Sequence, residues 1–417
     1  MYDAIVIGAG PGGYSCACEI SDSGGKVALV ERDKVGGTCT NYGCIPTKSL
    51  ISSAKIIEDL AQCSKIGIEA TFEIDFEKIV KRKDHIVDTI VRGIELNIKN
   101  KNIDLFKGDA CIISKNKVRI EDLEVEAKNI VIATGSKPIK IFSGENILTS
   151  REILELTSIP EKLVIIGGGV EGVEFGMIFQ VLGSKVTIIE AMERLLPDFD
   201  IDISVEAEKI LKRKGIKIIK GKKADFKDKL VVDGEVIPFD KILVSAGRKP
   251  CFPELSGLDP EKVNERMQTE VDNVFAVGDV TNKKQLAHVA IMQGIVAANN
   301  IMGNERTMDY SCVPGCVYTL PEIASVGIPE TGDHDVYKAS YAANAKARCS
   351  DKVSGFIKII ADKNTGRVKG VHIVGENATD LIATAVTIIK KEMMIEDIKD
   401  MIFPHPTFSE LFFDAVK

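Results

Sequence analysis

The chain has 417 residues, 45% of them hydrophobic and 28% charged, with a formal net charge of −7. That is the balance of a soluble globular protein large enough for two or three cores. The acidic balance gives no reason to expect nucleic acid or an anionic membrane as partner. No stretch approaches the roughly 20 apolar residues needed to span a bilayer. The first apolar run, from Ala4, stops at Gly8, where a signal peptide would continue. A cytoplasmic location is therefore expected. Ten cysteines without secretory context do not read as a disulfide framework.

The N-terminal segment AIVIGAGPGGYSCACEISDSGGKVALVE runs from Ala4 to Glu31. A short strand, the turn Gly8-x-Gly10-x-x-Gly13, a helix-length segment, a second strand and a terminal acid form one β-α-β unit. The first glycine permits the tight turn, the second lets backbone approach a pyrophosphate, and the third lets helix pack on strand. The helix N-terminus offers N–H groups to phosphate, and the acid accepts hydrogen bonds from a ribose.

Directly afterwards comes Val35-Gly-Gly-Thr-Cys39-Thr-Asn-Tyr-Gly-Cys44-Ile-Pro-Thr-Lys48. Two cysteines five apart, flanked by Gly36, Gly37 and Gly43, can bridge across about one irregular helical turn. A thiolate close to a helix N-terminus and to Lys48 is expected to have a depressed pKa and to be reactive. Inert buried thiols, or half of a zinc site completed by Cys312 and Cys316, are the other readings.

Further along, LVIIGGGVEGVEFGMIFQVLGSKVTIIE repeats the first unit from Leu163 to Glu190, with Gly167, Gly169 and Gly172. The acid follows the first glycine by 23 residues in both copies (31 − 8 and 190 − 167). NIVIATGSKP, containing Thr134 and Gly135, is echoed by KILVSAGRKP, containing Gly247, and each echo closes one unit. Two such units argue for two different dinucleotides with electron transfer between them. Near the C-terminus, His405 lies between Pro404 and Pro406, five residues before Glu410. Disulfide exchange needs a base for the incoming thiol, and a carboxylate behind histidine fixes its tautomer.

GGTCTNYGCIPTK resembles the active-site motif of the flavoprotein disulfide reductases, a family that includes dihydrolipoamide dehydrogenases and glutathione reductases. The resemblance covers essentially the whole chain. It implies Cys39 as the interchange thiol, Cys44 as the thiol facing the flavin, and Lys48 paired with Glu174. It implies FAD contacts at Gly8, Gly10, Gly13, Glu31, Thr38, Lys48, Thr134, Gly135, Asp279 of FAVGDV and Ala287 of LAHVA. It also implies NAD contacts at Gly167, Gly169, Gly172, Glu190 and Gly247. His-Pro-Thr-x-Ser-Glu resembles the C-terminal base motif, in which His405 enters the partner subunit's site, so a homodimer is expected. Phe403 departs from the family pattern, which usually has a further histidine there.

Glu190 would bind the ribose hydroxyls of NAD and repel a 2′-phosphate. The chain's end carries no vicinal cysteines of the mercuric reductase kind. VYTLPEIASVG and GRVKGVHIVGENATDLI resemble the interface motifs of dihydrolipoamide dehydrogenases. The implied activity is oxidation of protein-bound dihydrolipoamide through a Cys39–Cys44 disulfide and FAD, with hydride passed to NAD⁺. The partner would be a lipoyl-bearing protein of a glycine cleavage or 2-oxo acid dehydrogenase complex, and no metal is required. An NADH-dependent disulfide reductase, a diaphorase or NADH oxidase, and a complex-assembly subunit with vestigial activity are the alternatives. The expected fold is α/β, with two Rossmann-like dinucleotide-binding domains and a C-terminal α+β dimerisation domain. FAD would occupy residues 1–143 and 268–307, NAD residues 144–267, and the interface residues 308–417. Cys312 and Cys316, and a shortening near residues 329–337, are unusual for the family.

Overall fold

The computed structural model describes residues 1–253 and 261–417. Two compact units emerge. The first comprises Met1–Ser49, Glu77–Ile139 and Gly247–Asp309, and the second Leu50–Phe76, Lys140–Ala246 and Tyr310–Lys417. Among the described residues no helix is long and apolar enough to cross a membrane.

The first unit is built on parallel strands in the spatial order Asp104–Lys107, Val27–Glu31, Tyr2–Ile7, Leu123–Ile132, with Val274–Ala276 beside the last. Parallel strands covered on both faces read as continuous apolar runs. Accordingly Ala4, Ile5, Val6, Ile130, Val131 and Ile132 are all fully buried. Helix Pro11–Asp22 packs closely on helix Ala287–Ile301. A Cβ at Gly294 would lie 2.2 Å from the Gly12 carbonyl oxygen, so only glycine permits that approach.

The second unit repeats the plan. Its parallel sheet has the order Lys217–Lys220, Lys185–Glu190, Lys162–Ile166, Lys241–Val244, Ile147–Leu148. The internal echo of the sequence is thus an echo of topology. The same unit carries an antiparallel sheet in the order Gly315–Val317, Glu322–Gly327, Val368–Gly375, Phe356–Asp362, His334–Ser340. Helices Ala378–Lys390 and Leu411–Val416 pack on this sheet around Ile357, Ile373, Ile382 and Phe412. The observed architecture is the expected α/β class with an antiparallel C-terminal portion.

Between the nucleotide-type sheet's helix Ile201–Arg213 and the antiparallel sheet lies a buried charge cluster. Lys358 is fully buried, and its Nζ donates to Asp200 Oδ1 at 2.8 Å and Asp202 Oδ2 at 2.9 Å. The same ammonium lies 2.5 Å from Glu330 Oε2. Burial works against the charge on Asp200, yet the Glu330 amide and the Lys358 ammonium outweigh it and hold the carboxyl below its usual range.

His372 sits beside this cluster, 1% exposed. Its Nε2 donates to the Ile328 carbonyl at 3.0 Å, which leaves Nδ1 to accept from the Ser325 hydroxyl at 2.6 Å. That is a satisfied neutral imidazole. Burial pushes its pKa down, and the nearby Asp200 only partly offsets this. Both Asp200 and His372 therefore have folded-state pKa values below their unfolded ones. Each contributes stability above its ordinary titration range that is lost as pH falls through the folded value. The thermal midpoint should drop as pH falls below 6.5, the ordinary histidine value. Melting curves from there down to roughly pH 5 should show a shallower slope for His372→Gln than for the parent.

Candidate active site

The two glycine turns divide their labour in the same way. A Cβ at Gly8 would lie 2.3 Å from the Ala133 carbonyl oxygen, and one at Gly13 only 1.9 Å from that of Gly8. In the second copy a Cβ at Gly167 would meet the Ser245 carbonyl oxygen at 2.4 Å, and one at Gly172 that of Gly167 at 1.9 Å. The first and third glycines are thus fixed by packing. The middle ones face open space: the nearest atom to a Cβ at Gly10 is Gly37 Cα at 3.9 Å, and nothing lies within 4 Å at Gly169. Both helices begin at these middle glycines, which have no side chain to cap the first N–H groups. Those donors suit a phosphate.

The acids are pinned to the same turns. Glu31 accepts from the amides of Ala9 at 2.7 Å and Asp33 at 2.9 Å. Glu190, buried, accepts from Gly168 N and Met192 N, both at 2.6 Å. Each carboxylate is therefore held beside its glycine turn before any ligand arrives.

Cys39 lies in the short helix Gly37–Tyr42, and Cys44 opens the helix Cys44–Gln62. Gly36 and Gly37, with φ of 89° and 56°, start the first helix in a left-handed conformation that favours glycine. Gly43 breaks the path between the helices, and a Cβ there would lie 3.1 Å from the Thr38 carbonyl oxygen. The break brings the two sulfurs into hydrogen-bond contact. Both cysteines stand as thiols. The hydrogen bond to Cys44, then burial, push the Cys39 thiol far up, and Lys48 pulls weakly the other way. The depressed pKa that the sequence suggests is therefore reversed at Cys39, because the nearest partner is another sulfur and not a cation.

His405 is well exposed in the single chain, with its side chain 71% accessible. Its Nδ1 lies 2.9 Å from Glu410 Oε1, so the carboxylate holds Nδ1–H and leaves Nε2 outward. The Thr407 amide, then His405, hold the Glu410 carboxyl below its usual range, so the orienting group stays charged. The His405–Pro406 peptide is cis, and Phe403 stacks on Phe412 with ring centroids 6.5 Å apart.

Residues 2–294 match the family model described as pyridine nucleotide-disulphide oxidoreductase, and residues 313–416 match the dimerisation domain of the same family. A dihydrolipoyl dehydrogenase of Chlamydia muridarum is 38% identical, the match covering 99% of this chain and 96% of that one. The chain belongs to the pyridine nucleotide-disulphide oxidoreductase family. Among solved structures, LpdA from Mycobacterium tuberculosis superposes with a TM-score of 0.92 at 25% identity, covering 99% of this chain and 98% of that one. An HOCl-induced flavoprotein disulfide reductase, RclA from Escherichia coli, gives 0.89 at 28% identity, covering 100% and 99%.

As a pyridine nucleotide-disulphide oxidoreductase the chain is an enzyme that works with FAD and NAD. The open middle glycines at uncapped helix starts are the cradles two dinucleotide pyrophosphates need, so the residues present fit both groups. In the first unit Thr134 donates to the Cys251 carbonyl, and Asp279 accepts from Ser136 Oγ at 2.5 Å. Ala287 starts the helix Ala287–Ile301. Gly135 and Gly247 both have positive φ, and the two strands they precede pair with each other, Ser136 opposite Pro250 and Pro138 opposite Arg248. Gly247 thus falls in the first unit, at the opposite end of this antiparallel pair from Gly135, its counterpart in the echo. Lys48 also belongs to the first unit and Glu174 to the second. Buried Glu174 accepts from the Tyr318 amide at 2.9 Å.

Sequence reading missed four of these residues. Arg248 clasps Ser136 through Nε–H to its hydroxyl at 2.8 Å and Nη2–H to its carbonyl at 2.9 Å. Gln293, fully buried, accepts from the Gly278 amide at 2.7 Å, next to Asp279. Tyr318 is the fourth. The echo does contain a signal for two of them: Ser136 and Arg248 occupy the same position in it, between the shared glycine and Lys-Pro. Cys312 and Cys316 pack against the C-terminal apolar core.

Because Cys44 raises Cys39, removing it should release the thiol. In Cys44→Ala, alkylation of the Cys39-containing peptide by iodoacetamide should begin at lower pH than in the reduced parent, followed by mass spectrometry. An unchanged profile would show that the sulfurs do not share a proton.

Proposed function

We propose that this enzyme is a dihydrolipoyl dehydrogenase that oxidises the dithiol of a protein-bound lipoyl group and passes the electrons to NAD⁺. The observation that carries the reading is the hydrogen bond between the Cys39 and Cys44 thiols, since only sulfurs in reach of each other can form an exchangeable disulfide. In the oxidised enzyme, His405 of the partner subunit takes a proton from one substrate thiol. The resulting thiolate attacks Cys39 Sγ, the Cys39–Cys44 bond breaks, and Cys44 leaves as thiolate. The second substrate thiol gives its proton to the Cys44 thiolate and attacks the substrate sulfur of the mixed disulfide, and Cys39 leaves, taking the proton held by His405. The substrate ends as a disulfide and the enzyme as a dithiol. Bound FAD and NAD supply the two-electron route that restores the disulfide.

Gly8, Gly10, Gly13, Glu31, Thr38, Lys48, Thr134, Gly135, Asp279 and Ala287 would hold FAD. Gly167, Gly169, Gly172, Glu190 and Gly247 would hold NAD, and Lys48 with Glu174 would support the flavin end. The domains are assigned as residues 1–143 and 268–307 for FAD, 144–267 for NAD and 308–417 for the interface. Support for a homodimer comes from the match to the dimerisation domain and from Ile402, an apolar side chain 99% exposed three residues before His405. The lipoyl carrier would belong to a glycine cleavage or 2-oxo acid dehydrogenase complex. A reducing cytoplasm suits the many cysteine thiols.

Turnover should be seen with dihydrolipoamide and NAD⁺, and should fall sharply with NADP⁺ or with glutathione. Cys44→Ser should keep bound FAD and lose dithiol oxidation, while His405→Ala should lose about 10²- to 10⁴-fold in kcat. Quinone turnover exceeding dihydrolipoamide turnover would favour a diaphorase instead. The packing clashes separate the two cradles. Gly13→Ala should purify without FAD, whereas Gly172→Ala should retain FAD yet fail to bind NAD by titration calorimetry.

A further inference from the structure

We propose that the Asp200–Lys358 cluster is a positioning device for the pyridine nucleotide. Residues of the antiparallel, dimerisation-type sheet fix the segment 191–200, and through it the turn at Gly167–Gly172 and Glu190, in the NAD-binding shape. The proposal rests on the reading of that turn and Glu190 as the NAD site.

The segment 191–200 runs from Glu190 to the helix N-cap Asp200, and its fold is not one it would keep alone. Leu196, 1% exposed, has φ of 48°, a left-handed conformation unfavourable for a bulky side chain. Internal bonds hold part of it. The Arg194 guanidinium donates to the Phe199 carbonyl at 2.9 Å, to Ser204 Oγ at 3.1 Å and to the Pro197 carbonyl. The segment is also tied to the nucleotide turn. Leu196 N donates to the Gly168 carbonyl at 2.9 Å, and Leu195 packs so closely that a Cβ at Gly168 would lie 2.4 Å from it. Gly168 is the residue whose own amide holds Glu190.

The far end of the segment is anchored by the other sheet. Asp200 Oδ1 accepts from Lys358 Nζ and, at 3.0 Å, from the Asp202 amide, while Oδ2 accepts from the Glu330 amide at 2.9 Å. Glu330 belongs to the connection between strands Glu322–Gly327 and His334–Ser340. Phe199 packs on Gly315, where a Cβ would be 3.3 Å from its ring. Lys338 reaches Asp202 at 2.5 Å from a third position on the sheet. A buried ion cluster is a weak source of net stability, and apolar residues of equal volume would hold two sheets together as well. What charged hydrogen bonds add is direction, and here those from Lys358 and Lys338 to Asp200 and Asp202 point at the N-terminus of helix Ile201–Arg213, which follows the segment.

The test uses the FAD-loaded enzyme with Lys358→Met, and with the double variant Asp200→Asn/Lys358→Met. The double variant removes the link without leaving an uncompensated buried carboxylate at 200, so it answers the question if the single variant does not fold. Calorimetric titration with NAD⁺ should show affinity weakened about tenfold. FAD content, the KM for dihydrolipoamide and the alkylation profile of Cys39 should stay as in the parent. NAD⁺ affinity within twofold of the parent in a folded variant would overturn the proposal, as would equal losses of FAD, dithiol and NAD binding. Failure of the parent itself to bind NAD⁺ would instead sink the assignment of the site, and would be seen before any variant is made.

Discussion

Everything chemical in this chain depends on a break in a helix. An unbroken helix would place residues five apart about 7.5 Å along its axis and on different faces. That exceeds the roughly 7 Å between Cα atoms that a disulfide tolerates. Gly43, with φ of −144° and ψ of −108°, interrupts the path, so that one helix ends at Tyr42 and the next begins at Cys44. The same break puts Cys44 at the first position of a 19-residue helix, where the macrodipole favours negative charge. Contact and charge stabilisation thus come from one backbone event. The glycines at 36 and 37 serve it by turning the chain into the first short helix.

The duplication of the nucleotide-binding plan goes deeper than motif. In both copies the third glycine would clash with the first glycine's carbonyl, the first would clash with a carbonyl of the closing strand, and the second is open. In both, the terminal acid is held by an amide one residue from the first glycine, Ala9 in one case and Gly168 in the other. The copies differ in what stabilises their surroundings. The first relies on helix Ala287–Ile301 packed through Gly12 and Gly294, and the second on a strained loop held by the antiparallel sheet.

These similarities were readable from sequence because they are local. Turn glycines, the acid 23 residues on, the cysteine pair and the histidine with its carboxylate all lie within one β-α-β unit or one loop. The fold class followed from them. What stayed hidden is carried mostly by partners far apart in the chain: Asp200 with Lys358, Glu174 with the Tyr318 amide, and the pairing of Ser136–Pro138 with Arg248–Pro250. A side chain bonding to a distant backbone amide leaves no period and no spacing to find. The buried lysine is the sharpest case, since Lys358 sits in the strand FIKIIAD, where alternation alone would send it to solvent or mark it as an error.

The raised pKa of Cys39 also explains why its departure calls for a proton donor. Two thiols in contact titrate as a pair, and the first negative charge to form is shared between them. If the helix N-terminus draws that charge towards Cys44, Cys39 keeps the proton, and its departure from a mixed disulfide must be assisted by an acid. A histidine whose Nδ1–H is fixed by a carboxylate can give a proton from Nε2 and take one back, as the two halves of an exchange demand. Glu410 remains charged because a backbone amide stabilises it as well as the imidazole, so it can orient His405 in both of that residue's protonation states. Sulfur contact in one loop therefore creates the need for the histidine, and the histidine's exposure in the single chain is what a group serving a site on a second subunit would show.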